Sequence, residues 1–466
     1  MLVIYFLLFI FALLYAKSIL FWVYLWQLKE YRLDRFLAEY SYAKKIARFW
    51  FFSGGRKLWK PKWTIKAMGI YTASLIAALG SIYFATKTFI VENNDAVFFV
   101  FCLAAFYILM PAVVGLFVFL ANILTYFAKQ FIYQLAKAQL ARAKNLIVIG
   151  ITGSYGKSST KEFLAQILEN KFKVRKTPEN INTEIGVAKF ILQKVNPEDE
   201  VLIVEMGAYK KGEIKKLSEI VSPEIGIITG INEQHLSLFG SLKNIIGAKY
   251  ELIESLPEDG LAVFNGENKY CLEMAEMWGG KKVIYRDANV RIHTNDTNMP
   301  RHYLQNLAGV IEVSRYLGMD EDEIIEAVKN IKSTERMIKT FIGKNGALII
   351  DDSYSANPAG VLAALDYLAE QNKKYKIIIM PCLIELGEAA AEIHREIGKK
   401  IAEVCDLAII TTKDYFDIIK EEAGEKAILA VNSEKVIKIL NDKLNEEAAV
   451  LLEGRLAQDI IMFARQ

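Results

Sequence analysis

Asn145-Leu-Ile-Val-Ile-Gly-Ile-Thr-Gly-Ser-Tyr-Gly-Lys-Ser-Ser-Thr160 decides how the rest of the chain is read. Its first six residues form an apolar run that predicts a buried strand, and the pattern over 157–169 predicts a helix after it. Strand, glycine-rich turn, Lys-Ser and helix together cradle phosphates. The glycines let backbone N–H groups approach the oxygens, and the helix N-terminus favours their negative charge. Gly153, Ser154, Gly156 and Ser159 belong to that cradle. Lys157 would reach the β- and γ-phosphates of a nucleotide such as ATP, and the Ser158 hydroxyl would meet Mg2+. The spacing is Gly-x-Thr-Gly-x-x-Gly-Lys-Ser, with Ile151 where the strict pattern has its first glycine.

Toward the C-terminus, apolar strand-like runs recur at 201–204, 225–228, 261–264 and 282–285, mostly separated by helical patterns. That alternation predicts an α/β layer structure. A second series follows at 347–350, 376–380, 407–411, 427–431 and 449–452, with helices at 358–370 and 388–404 between its members. It predicts a smaller Rossmann-like sheet. The boundary between the two series is placed near 332–336, giving a P-loop central domain over 145–334 and a Rossmann-like C-terminal domain over 335–466.

Toward the N-terminus the chemistry changes. The chain is 53% hydrophobic yet 24% charged, and the apolar residues are concentrated in the first 144. Runs at 1–26, 67–91 and 96–127 each exceed the roughly 20 residues that cross a bilayer, which makes 1–144 an α-helical transmembrane region. A cleaved signal peptide is the alternative for the first run, but no basic segment precedes it and no small-residue cleavage site follows. The third run contains Pro111, which predicts a kink, with a hairpin returning to the same side as the alternative.

Between runs one and two lie Lys29, Arg32, Arg35, Lys44, Lys45, Arg48, Arg56, Lys57, Lys60, Lys62 and Lys66; between runs two and three lies only Glu-Asn-Asn-Asp at 92–95. Positive residues favour the cytoplasmic side. Three crossings with the N-terminus outside satisfy every loop and leave the catalytic domains in the cytosol, anchored to the cell membrane. The basic loop also carries Phe36, Tyr40, Trp50, Phe51, Phe52, Trp59 and Trp63, a mixture suited to an anionic leaflet; a plain soluble linker is the other reading.

A formal net charge of +3 gives no reason to expect nucleic acid as a partner. Cys102, Cys271, Cys382 and Cys405 are far apart, which argues against a disulfide framework or a zinc site.

Six stretches now resemble the Mur ligases of cell-wall synthesis: GITGSYGKSSTKE at 150–162, NINTEIGV at 180–187, VEMGAYKKGEI at 204–214, HLSLFGSLKNIIGAKYEL at 235–252, DDSYSANP at 351–358, and LIELGE with HREIG within 383–398. Their order spans nearly all of 145–400, and their wording is most like the branch that adds D-alanyl-D-alanine. The resemblance implies an ATP-dependent amide-bond ligase acting on a peptidoglycan precursor through an acyl phosphate, with two Mg2+ ions. It implies that Glu205 helps hold Mg2+ at the ATP phosphates and that His235 ligates a second ion. Lys249, in an Ala-Lys-x-Glu context, would be carbamylated and so become an anionic metal ligand. Asn306 would contact adenine, and Arg336 and Asp352 the ATP phosphate and ribose. Lys157, His235 and Lys249 are the catalytic set. His394 is read as a packing or capping residue.

The chain also departs from the family pattern. The soluble domain that binds UDP-sugar has no counterpart here, and the apolar runs with their basic loop occupy its place. Gly230 and Ser355 stand where the family usually has asparagine, Pro300 and Tyr303 break the Gly-x-His-Asn pattern around His302, and Leu452-Glu453-Gly454-Arg455 only loosely matches Lys-Gly-Ser-Arg. The incoming amine, an amino acid or a dipeptide, is therefore open, as is a UDP-linked or lipid-linked acceptor. Anchoring beside the membrane enzymes of cell-wall synthesis would account for the apolar region. Competing readings are another Mur-fold ligase, such as a folylpolyglutamate-synthase-like or polymer-forming enzyme, and a non-catalytic membrane scaffold. The joint presence of Lys157, Ser158, Glu205, His235 and Lys249 argues against the scaffold.

Overall fold

The computed structural model describes residues 2–33, 36, 59–91, 96–287, 290, 300–332, 338–353 and 356–466. The chain forms two compact units, Met1–Phe131 and Ile132–Gln466.

In the first unit the three apolar runs are helices, Leu2–Leu28, Ile65–Val91 and the N-terminal part of Ala96–Leu140. Tyr15, Ile19, Trp22 and Val23 pack in one cluster with Ala67, Ile70, Met110 and Val114, and the Tyr15 hydroxyl donates to the Leu103 carbonyl at 2.8 Å. The outward faces are also apolar: Phe6, Ile76, Tyr83, Phe101, Phe119 and Leu124 are exposed. A helix apolar all round belongs in a core or a bilayer. All three are long and apolar enough to cross a membrane by length and composition. Pro111 lies inside one continuous helix, so the chain does not turn back there. At 45 residues that helix is about 67 Å long, twice the hydrocarbon thickness. Most of the basic, aromatic segment (34–35 and 37–58) and the 92–95 connector lie outside the described residues.

The second unit contains two six-stranded sheets among the described residues. The first comprises β1 (Ile147–Thr152), β2 (Val174–Lys176), β3 (Val201–Glu205), β4 (Ile225–Ile228), β5 (Leu261–Asn265) and β6 (Lys281–Tyr285), in the order β2-β3-β1-β4-β5-β6. All its pairings are parallel. The second comprises β7 (Lys339–Ile342), β8 (Leu348–Asp352), β9 (Tyr375–Met380), β10 (Leu407–Ile410), β11 (Ala427–Leu429) and β12 (Ala448–Glu453), in the order β11-β10-β9-β12-β8-β7. Only β7 runs antiparallel to its neighbour.

Parallel sheets are covered on both faces, so their strands read as unbroken apolar runs rather than as alternations. β3 (Val-Leu-Ile-Val-Glu) is buried throughout, its terminal carboxylate included. One core cluster lies between the sheets, joining Ile149, Ile203 and Phe163 to Ile350 and Ile378 through the helices Lys157–Leu168, Arg301–Tyr316 and Pro358–Glu370. A second covers the other face of the first sheet and takes in the end of the long third helix. Ala136 belongs to it, Ile132, Tyr133 and Leu140 pack against it, and Val187, Ile191 and Val204 are fellow members. Gln139 Nε2 donates to the Val195 carbonyl at 2.9 Å.

Candidate active site

The site begins where β1 ends. The chain enters the glycine-rich turn, and Gly156 takes φ +78°, a left-handed backbone that only glycine adopts without strain. A Cβ there would also stand 2.7 Å from Asn306 Oδ1. Asn306, buried on the helix Arg301–Tyr316, donates from Nδ2 to Ser159 Oγ at 3.0 Å. The structure thus brings Asn306 against the glycine-rich turn.

Lys157 opens the following helix and folds back over the turn, its Nζ donating to the carbonyls of Gly153 (2.6 Å) and Ser154 (3.2 Å). Burial lowers its pKa, and the Glu205 charge partly opposes this. Ser158 Oγ donates to Glu205 Oε2 at 2.9 Å. The same oxygen receives Lys161 Nζ at 3.2 Å, and Asn182 Nδ2 reaches Glu205 Oε1 at 3.3 Å. Burial alone would raise the Glu205 carboxyl; the Lys161 and Lys157 charges and the Ser158 bond outweigh it and hold the carboxyl below its usual range.

Opposite lies Lys249, buried on the helix Leu242–Glu254. Burial, then the Lys157 charge, push its ammonium down to about 7, against the pull of Glu213 and Glu251. Glu251 is itself buried and accepts from the backbone N–H groups of Gly212 (2.6 Å) and Lys215 (3.1 Å), so these two residues are not a solvated helix face. Gly153, Ser154, Lys157, Asn182, His235 and Lys249 all line one cavity of about 70 Å3. His235 takes φ +63° and bonds through Nδ1 to Glu385 Oε2 at 2.5 Å.

Donor chemistry decides whether a divalent cation suits these residues. Ser158 Oγ and the Glu205 carboxylate are hard oxygens converging at the mouth of the phosphate cradle, as Mg2+ requires. A lysine that titrates near neutrality can react with CO2, and the resulting carbamate would place a further oxygen ligand in the cavity His235 lines. Ser158 and Glu205 suit one such ion, and His235 with a carbamate on Lys249 would suit a second; without the carbamate no three His, Cys, Asp or Glu side chains are gathered for an ion among the described residues.

Asp352 stands apart from this cluster, at the C-terminal end of β8 and in register with Glu453 on β12. Burial and the neighbouring Asp351 push it up to about 7. Glu453 is wholly buried, neither of its oxygens has a hydrogen-bond partner among the described residues, and its pKa is raised far above the carboxylate range by burial and by Asp352. Arg336 and Ser355 lie outside the described residues. His394 is buried in a packing role: Nδ1 meets the Ala390 carbonyl at 2.6 Å, Nε2 accepts from the Leu383 N–H at 3.0 Å, and Tyr415 stacks on the ring.

The sequence reading assigned no role to Lys161, Asn182 or Glu385. Lys161 and Asn182 sit inside quoted stretches, but a lysine one turn after Lys157 reads as surface charge. Glu385 lies 150 residues from its partner.

Fold and site define a P-loop α/β protein with a second Rossmann-like sheet. Residues 151–313 match the Mur ligase middle domain and residues 335–456 the Mur ligase glutamate ligase domain. The UDP-N-acetylmuramoyl-tripeptide–D-alanyl-D-alanine ligase of Borreliella burgdorferi is 30% identical over 336 residues, covering 66% of this chain and 71% of that relative. The ligase of the same name from Synechocystis is 29% identical over 284 residues, 58% of this chain, and the match spans only 62% of that relative's length. The crystal structure of the MurF ligase from Thermotoga maritima in complex with ADP superposes with a TM-score of 0.64 at 25% identity, covering 72% of this chain and 83% of that one. The chain belongs to the Mur ligase family.

Proposed function

We propose that this chain is an ATP-dependent ligase that adds D-alanyl-D-alanine to a UDP-N-acetylmuramoyl-tripeptide. The observation that carries the reading is that Lys157, His235 and Lys249 line one cavity at the glycine-rich turn while Ser158, next to Lys157, bonds Glu205, in a chain whose relatives bear that activity in their names. The substrate carboxylate attacks the γ-phosphate, releasing ADP and giving an acyl phosphate; the incoming amine then attacks the acyl carbon, loses a proton and displaces phosphate. Anionic groups must meet, so positive charge matters more than acid–base catalysis. Lys157 and the turn's N–H groups would hold the phosphates and Asn306 would contact adenine, while the family resemblance assigns Asp352 and Arg336 to the ribose and a phosphate. Ser158 and Glu205 would hold one Mg2+, and His235 and carbamylated Lys249 a second. When bound, the ions neutralise phosphate charge.

The domain limits assigned to this reading are 1–144, 145–334 and 335–466, with residues 132–144 packing in the core of the ligase region rather than with the apolar helices. The three apolar helices serve as a membrane anchor with the ligase domains in the cytosol, placing the enzyme beside the membrane enzymes that consume its product. Their apolar outward faces support this.

The test is incubation of the purified chain with ATP, UDP-N-acetylmuramoyl-tripeptide and D-alanyl-D-alanine, reading phosphate release and product mass. A UDP-linked pentapeptide is expected. Product only from a polyprenyl-linked acceptor would replace the soluble-substrate reading, and no product from any acceptor would reject the ligase.

A further inference from the structure

His235 and Glu385 are separated by 150 residues and come from opposite halves of the second unit, His235 just after β4 and Glu385 just after β9. Both take left-handed backbones, φ +63° and +65°, which non-glycine residues adopt rarely and which concentrate at functional sites. Their Nδ1···Oε2 distance is 2.5 Å. Around them the two segments are tied a second time: the Glu385 carbonyl accepts from the Ser237 N–H at 3.3 Å and from the Ser237 hydroxyl at 3.2 Å. The segment bearing Glu385 is itself pinned, since buried His394 accepts the Leu383 N–H through Nε2 and Thr412 Oγ1 accepts the Cys382 N–H at 2.7 Å. His235 meanwhile lines the cavity that holds Lys157 and Lys249.

A carboxylate on Nδ1 fixes the imidazole tautomer. Nδ1 carries the proton and Nε2 keeps its lone pair. We infer that Glu385 is a positioning residue that orients His235 as a divalent-cation ligand, so that the second-ion site is complete only when the two halves of the ligase region are apposed. This rests on the ligase reading for the identity of the ion. It goes beyond it in assigning Glu385, which reaches His235 from the other half of the ligase region, the task of setting the tautomer.

The experiment compares full-length wild type with Glu385→Ala, Glu385→Gln and His235→Ala by Mn2+ titration in the presence of a non-hydrolysable ATP analogue, with analogue binding in EDTA as the fold control. Glu385→Ala is expected to weaken one Mn2+ site about tenfold or more, with Glu385→Gln intermediate and analogue binding in EDTA unchanged. In a His235→Ala background the Glu385 substitution should have no further effect. Imidazole 15N NMR without metal, feasible with four histidines, should show His235 protonated on Nδ1 in wild type and a tautomer mixture in Glu385→Ala. Unchanged Mn2+ affinity in Glu385→Ala overturns the inference, as does an equal loss in the His235→Ala background, which would make Glu385 a loop anchor. Neither readout needs turnover. Failure of wild type to ligate therefore rejects the ligase reading and leaves this test standing.

Discussion

Lys161 Nζ lies 3.2 Å from Glu205 Oε2, and the lysine side chain is wholly buried. Removing one partner of a buried pair leaves an uncompensated charge, typically worth about 3–5 kcal/mol. Lys161→Met keeps the apolar stem and should lower unfolding stability by about 3 kcal/mol in urea titrations. A loss below about 1 kcal/mol would mean that Ser158, Asn182 and Lys157 already hold the carboxylate without it.

Lys157→Ala should behave differently. Among the described residues its Nζ donates only to carbonyls of the turn, so the fold should survive while phosphate release falls by about 100-fold or more, the cost of losing one preorganised charge contact. Thermal denaturation beside a phosphate assay separates the two effects, and unchanged turnover would sink the ligase mechanism.

Lys249 is buried and titrates near neutrality, the state in which an amine adds CO2. Protein equilibrated with 13C-bicarbonate should show a carbamate resonance that Lys249→Arg lacks, and activity should fall when bicarbonate is stripped. Unmodified Lys249 in active, Mg2+-loaded protein would rule the carbamate out.

Gly230 has no room for a side chain: a Cβ there would stand 2.3 Å from Tyr155 Cζ. The Tyr155 hydroxyl accepts from Asn268 Nδ2 at 3.2 Å, which keeps the ring in place. Gly230→Asn, the residue usual in the family, should therefore cost about 1–3 kcal/mol by overpacking. Adding Tyr155→Ser should restore most of that, as a double-mutant cycle on denaturation midpoints would show. Additive losses would mean that the two positions are not coupled.

Asp352 and Glu453 put a pH dependence into stability. Asp352 titrates near 7 in the folded protein, above the roughly 3.9 of an unfolded aspartate. The native state then binds more protons, so stability is full below that lower value and declines as pH rises toward 7. Glu453, also raised by burial and by Asp352, acts in the same direction. Glu453→Gln should flatten stability between pH 5 and 8 at roughly 1 kcal/mol per pH unit removed. An unchanged slope would show that the two carboxyls are hydrated.

The parallel core of the second unit was legible because buried parallel strands need unbroken apolar runs. The runs at 201–204 and 225–228 lie within or match β3 and β4. β2 escaped notice because Val-Arg-Lys is three half-buried residues without an apolar signature. β7 escaped because Lys-Thr-Phe-Ile is an alternating edge strand in an otherwise parallel series. Lys157 and Ser158 could be read from local spacing. The Glu385 contact with His235 could not, since nothing local in either stretch points to the other, and only the packing of the two sheets brings them together.

The helix Ala96–Leu140 has a practical consequence for making a water-soluble fragment. A cut after Lys144 follows the limit of the apolar sequence, yet it would strip Ala136 and Ala143 from the second unit's core, along with Ile132, Tyr133 and Leu140 packed against it. The fragment would expose a fresh apolar groove beside the glycine-rich turn's own sheet and would be prone to aggregate. Aggregation of such a fragment would then report a damaged core rather than a need for lipid. A cut near Ile132 keeps those turns and leaves the core whole.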